Sequence, residues 1–129
     1  MNYYDAQLNC QNKFGNFGKL FEPRLANTNQ LVSYAAANFS SWKSDDFWLG
    51  MNDLATQGQY VYASDGQEVV DGMWKYGQPN SPSERCVGYY KLHPAAPSYG
   101  EGWYDRSCDF LSFSICEQKG TNLVNQIVI

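Results

Sequence analysis

At 129 residues the chain is long enough for one domain with its own core and too short for two ordinary ones. Aromatic side chains make up 16% of it and charged ones only 17%, a folding composition rather than a disordered one. The formal net charge is −4 and the 9 basic residues are scattered singly, which argues against nucleic acid as a partner; no apolar run approaches the roughly 18 residues of a membrane span, so membrane insertion is not expected.

Met1 is followed by "NYYDAQ" rather than by a basic segment and an apolar stretch, so any secretion signal is expected to have been removed. The run "NYYDAQLNCQNKFG" opens on Asn, carries Tyr4, Leu8 and Phe14 near helical spacing and stops at Gly15, which predicts a helix over about residues 3–13. In "NTNQLVSYAAANFSSWK", Asn and Thr caps precede Leu31, Tyr34, Ala35, Ala37 and Phe39, a second helix over about residues 29–40. From Phe47 onward the pattern changes to short β runs between turn clusters. "FWLGMND" is a compact apolar strand, "YVYASDGQ" a strand running into a turn, and "RCVGYYKL" alternates like a half-buried strand; "GWYDRSC" and "LSFSICE" complete the set. Helices first and antiparallel strands afterwards is an α+β order.

Residues 75–85 and 93–102 are rich in Pro, Gly and Ser, so much of the middle is loop, and long structured loops are commonly functional. Four cysteines, Cys10, Cys86, Cys108 and Cys116, contain no C-x-x-C pair, which favours two disulfides in an oxidising compartment over a zinc site. Three connectivities are open. The sequon Asn38-Phe39-Ser40 is compatible with a secreted, extracellular protein.

A cysteine-bearing helix, "WLGMND", "WKYGQPN", "ERC", "GWYDRSC" and "SFSICE" occur in one order, and that order resembles the C-type lectin-like domain over about residues 3–118. The resemblance implies a C-type lectin-like fold with two helices packed on antiparallel sheets, and disulfides Cys10–Cys116 and Cys86–Cys108. In the chain-entropy picture each bond contributes a few kcal/mol by closing loops of about 100 and about 20 residues. Members of the family usually open with a strand before the first helix, so a first strand is expected to be missing from a domain of residues 1–118. The tail of residues 119–129 alternates Leu123, Asn125, Ile127 and Ile129 and is read as a possible added strand at that vacant edge.

In this family a calcium ion beside the long loop is held by an x-P-x motif, a following Glu and an Asn-Asp pair, and sugar hydroxyls complete its shell of 6 to 8 oxygens. By position the resemblance assigns Gln78, Asn80, Glu84 and Asp105 as calcium ligands and sugar contacts, with Pro79, often cis at this place, turning its neighbours toward one point. Tyr104 falls where sugar-binding members usually have Asn and is the fifth candidate sugar contact, with Tyr99 and Tyr90 as further stacking candidates. Glu84 and Asp105 are the only full negative charges in the set, which predicts weak calcium. Mannose-type members carry E-P-N and galactose-type members Q-P-D; Q-P-N has two amides and prescribes neither order.

The function implied is a calcium-dependent carbohydrate-binding lectin module whose partner is a glycan or glycoprotein, acting as a homo-oligomer or within a larger parent assembly through avidity. The alternative is the same fold without a working ion site, used for protein, matrix or structural contact. Enzyme chemistry is disfavoured: His93 is the only histidine, and no G-x-S-x-G or Cys-His arrangement surrounds a nucleophile. Asp45 and Asp46 are expected in a solvated turn and Asp109 on the surface, Trp48, Trp74 and Trp103 in the core, and Trp42 at the end of the second helix. Asn52-Asp53 and Asp65 lie near where some members hold an additional calcium, with too few carboxylates to support one.

Overall fold

Asn2 starts the first helix as an N-cap: its side-chain oxygen accepts the Asp5 amide at 2.9 Å and its carbonyl accepts the Ala6 amide. Helix α1 runs Tyr3–Phe14. The computed structural model describes residues 1–14, 18–24, 46–69, 74, 77–90 and 102–118. The expected second helix, the sequon at Asn38, Trp42, His93, Tyr99 and the tail of residues 119–129 lie outside the described residues. The described strands are β1 (Gly18–Leu20), β2 (Asp46–Asn52), β3 (Val61–Tyr62), β4 (Cys86–Tyr90), β5 (Gly102–Arg106), β6 (Phe113–Ser114) and β7 (Cys116–Gln118).

The helix is placed as expected, but its inner face differs. Tyr4 is 49% exposed and Leu8 54%, while Tyr3, Ala6 and Cys10 are buried. Two contacts decide the rotation. Cys10 is bonded to Cys116 on β7, and the Tyr3 hydroxyl accepts the side-chain amide of Asn52 at 3.0 Å from β2. Both anchors lie on one stripe at helical spacing, so that stripe turns inward whatever its neighbours are. Burial then pushes the Tyr3 phenol up to about 12.

β2 is the central strand. It pairs antiparallel with β3 and β4 and parallel with β6, and β5 extends the sheet beyond β4. Both faces of β2 are covered: Phe47, Leu49 and Met51 join Tyr89, Trp103 and Ile115, while Trp48 joins Tyr3, Ala6 and Leu20 beneath α1. That double burial explains the near-continuous apolar run of "FWLG". Asp46 opens this strand opposite Tyr90 rather than sitting in a turn. Strand β4 also departs from its expected half-buried alternation, since Cys86, Val87, Gly88 and Tyr89 are all buried between the two layers. Trp48 and Trp103 are fully buried and Trp74 packs edge-on against Trp103, as expected of core groups.

A second, two-stranded sheet pairs β1 antiparallel with β7. β1 is three residues long, too short a run to signal a strand in the sequence. Just after it the Glu22 carboxylate is buried against Gly50. A Cβ added at Gly50 would lie 2.8 Å from the Leu20 carbonyl oxygen and 2.9 Å from Glu22 Cγ, which is why a glycine interrupts the side chains of this strand between Leu49 and Met51. The two disulfides are Cys10–Cys116 and Cys86–Cys108, as the resemblance implied. The second joins the start of β4 to the segment after β5, so the loop entering β4 is held directly above β5.

Candidate ligand-binding loop

Asp105 organises the loop. It sits on β5, which pairs residue by residue with β4, and its side chain is 2% exposed. Its carboxylate accepts the backbone amide of Asn80 at 3.2 and 3.1 Å and that of Ser81 at 2.9 Å. The Asp105 amide in turn faces Gln78 Oε1 at 3.4 Å. The Gln78–Pro79 peptide is cis, so the chain folds back and both residues flanking Pro79 meet Asp105. Gly77 supplies the positive φ of 82° that lets the chain enter this turn, a conformation other residues rarely adopt.

Glu84 lies at the far end of the same loop. Its amide donates to the Ser81 carbonyl at 3.2 Å and its carbonyl accepts the Tyr60 hydroxyl at 3.3 Å. Partial burial and then the charge of Asp105 hold its carboxyl above the usual range, against the opposing pull of Arg106. Tyr60 reports the same field. Burial, followed by Asp53, Asp105 and Glu84, pushes its phenol far above the ordinary value. A cleft of about 290 Å³ opens between the two loops, with Asp53, Gln57, Tyr60, Asn80, Pro82 and Asp105 among its walls; it is at the small end of ligand pockets, which run from about 300 Å³ upward.

The structure therefore brings Gln78, Asn80 and Asp105 into hydrogen-bonding distance and sets Glu84 in the field of Asp105. Tyr104 lies elsewhere. Successive strand residues point to opposite faces, and while Asp105 turns to the loop, the buried Tyr104 ring lies against Gly88, with the Arg106 guanidinium 4.7 Å from its centroid. Asp109 is exposed, as expected of a surface charge. Asp65 is exposed too, and its hydrogen bond from Arg24 holds its carboxyl below the usual range.

Calcium takes 6 to 8 oxygens, and the side chains here do not form a ready cage for it. The most charged and most buried donor, Asp105, is already occupied by two backbone amides, Gln78 Oε1 faces a third, and Tyr104 is turned to the other face. Among the described residues no three acidic, histidine or cysteine side chains are grouped to hold a metal.

Sequence reasoning left out Ser81 and Arg85. Ser81 supplies an amide to Asp105, and Arg85 pairs with Asp53, which was weighed only for an additional calcium and here lines the cleft. Arg85 was visible only as one letter of "ERC", because its partner is 32 residues away.

The family model described as Lectin C-type domain matches residues 1–118. The chain belongs to the C-type lectin family. Its similarity to Collectin-11 of Bos taurus is 31% identity over 117 residues, covering 89% of this chain and 39% of that protein. To Collectin-10 of Gallus gallus it is 29% over 118 residues, covering 90% and 38%. The C-type lectin domain thus spans less than half the length of these relatives. Among solved structures, the mouse scavenger receptor C-type lectin carbohydrate-recognition domain superposes with a TM-score of 0.71 at 23% identity, covering 94% of this chain and 84% of that one. A Ca2+-dependent type II antifreeze protein in its Ca2+-free form gives 0.68 at 23% identity, covering 90% and 82%. Those two share the fold. The C-type lectin family, to which the chain belongs, is not a family of enzymes.

Proposed function

We propose that this C-type lectin domain is a carbohydrate-recognition module that takes the hydroxyls of a glycan or glycoprotein at the Gln78-Pro79-Asn80 loop and the adjoining cleft. The observation that carries the reading is that the two residues around cis Pro79 both meet Asp105, the Asn80 backbone amide at its carboxylate and Gln78 Oε1 at its amide, with the exposed Asn80 in the lining of the cleft. An amide both donates and accepts, which suits a sugar hydroxyl. The collectin relatives and the two disulfides support an extracellular setting and a larger, oligomeric parent chain, in which repeated weak sites gain avidity.

A calcium-dependent form of the same activity is the second reading, favoured by the neighbouring charges of Glu84 and Asp105, a pairing that a divalent cation would relieve. In that form Gln78, Asn80, Glu84 and Asp105 would hold the ion, and Asp105 would have to give up its loop amides. A glycan array read in millimolar calcium and again in EDTA separates the readings. Binding that survives EDTA supports the first, and binding lost in EDTA supports the second. No glycan bound in either buffer overturns both and leaves protein contact as the role of the fold.

A further inference from the structure

We propose that Arg85 is a tethered cation that closes the frame of the binding loop, so that the cleft keeps its shape without a bound metal ion. Its guanidinium gathers three oxygens from the turn that follows β2. Nε lies 3.4 Å from Asp53 Oδ1, and Nη2 donates to the carbonyls of Asp53 at 2.7 Å and Leu54 at 3.2 Å. One carboxylate and two carbonyls converging on a point is an all-oxygen set of the kind hard cations take. Here a permanently charged side chain supplies the cation.

The remaining contacts show what this cation holds together. The other Asp53 oxygen accepts the Gly58 amide at 2.8 Å, and the Asp53 amide donates back to the Arg85 carbonyl at 3.0 Å. Asp53 is 3% exposed, so its charge has little access to water and depends on these partners. Gln57 Nε2 donates to the Pro82 carbonyl and the Tyr60 hydroxyl to that of Glu84, stitching the 53–60 turn to the end of the 78–84 loop. Both walls of the cleft are thereby fixed by groups of the chain itself. The inference goes beyond the glycan reading and stands whichever ligand the cleft takes.

The test is limited proteolysis within the 53–60 turn, with cut sites mapped by mass spectrometry, on the whole chain and on Arg85→Gln and Arg85→Lys variants, each in millimolar calcium and in EDTA. Cleavage follows the population of the open turn. The unaltered chain is expected to be cut at the same rate in both buffers. Arg85→Gln is expected to be cut roughly tenfold faster or more, as loss of a charge-assisted group implies. Arg85→Lys should fall between, because an ammonium restores the charge without the planar fork. If Arg85→Gln does not fold, Asp53→Asn, which keeps the side chain's shape, should show the same acceleration to a smaller degree. The proposal is overturned if EDTA speeds cutting of the unaltered chain several-fold, if Arg85→Gln and Asp53→Asn are cut at the unaltered rate, or if the Lys and Gln variants are equally fast. No glycan enters this measurement, so failure of the glycan reading does not affect it.

Discussion

Two regions of the domain bury carboxylates and treat them differently. At the base, Glu22 and Glu117 are 4% and 5% exposed and share Lys19, whose ammonium lies 3.2 and 3.1 Å from them, while Arg24 and both the amide and hydroxyl of Ser64 complete Glu22. At the loop, Asp105 is as deeply buried but is held by backbone amides alone, and among the described residues neither it nor Glu84 has a cation within ion-pair distance. Charge at the base is matched by charge and serves the fold. At the loop Asp53 alone is matched, by Arg85, while the charges of Asp105 and Glu84 are only solvated by the chain and so keep the field that a ligand meets.

Breaking the base should therefore cost stability first. Replacing Cys10 and Cys116 together by Ser removes a tie across a separation of 106 residues and is expected to cost about 4 kcal/mol, measured by urea unfolding under oxidising conditions. Glu22→Ala takes one of two carboxylate partners from each of Lys19 and Arg24 and leaves the Ser64 amide without its acceptor; about 3 kcal/mol is expected in the same assay. If either costs less than Asp105→Asn, the division between regions is wrong.

Changes at the loop should cost less stability and more binding. Asp105→Asn keeps one carbonyl oxygen for the loop amides but loses the charge, so about 1–2 kcal/mol is expected by urea unfolding, together with loss of glycan binding by titration calorimetry. The smallest effect belongs to Glu84→Gln. The folded state holds the Glu84 proton more tightly than the unfolded chain does, because burial and Asp105 raise its pKa. Its stabilising contribution is therefore full below about 4.5, the ordinary value, and is lost as pH rises through the raised folded value. The Gln variant should gain slightly at pH 7, by a few tenths of a kcal/mol after allowance for solvent screening, and the gain should vanish near pH 4 in melting curves.

Much of the frame was legible in the sequence because its signals are local or carried by rare residues. "WLGMND", "GWYDRSC" and the four cysteines marked β2, β5 and the disulfide framework. The inner face of α1 was not legible, because Tyr4 and Leu8 have the right spacing but Tyr3 and Cys10 have the distant anchors. At the site, Gln78, Asn80 and Asp105 came through as a pattern of letters. What the letters did not carry was the bonding: Asp105 spends its oxygens on amides of the Asn80 and Ser81 backbone, which any residue but proline would provide. The Arg85–Asp53 contact was hidden for the same reason, since two of the three acceptors around the guanidinium are carbonyls.

The Cys10–Cys116 bond also sets the path of a mechanical load. When a domain of this kind is pulled through chain attached before residue 10 and after residue 116, the tension crosses from α1 to β7 through a covalent link. The central sheet and the 78–84 loop lie between those two points in the sequence and are bypassed. A tethered copy can thus bear tension at its ends while the groups that face a ligand remain unloaded.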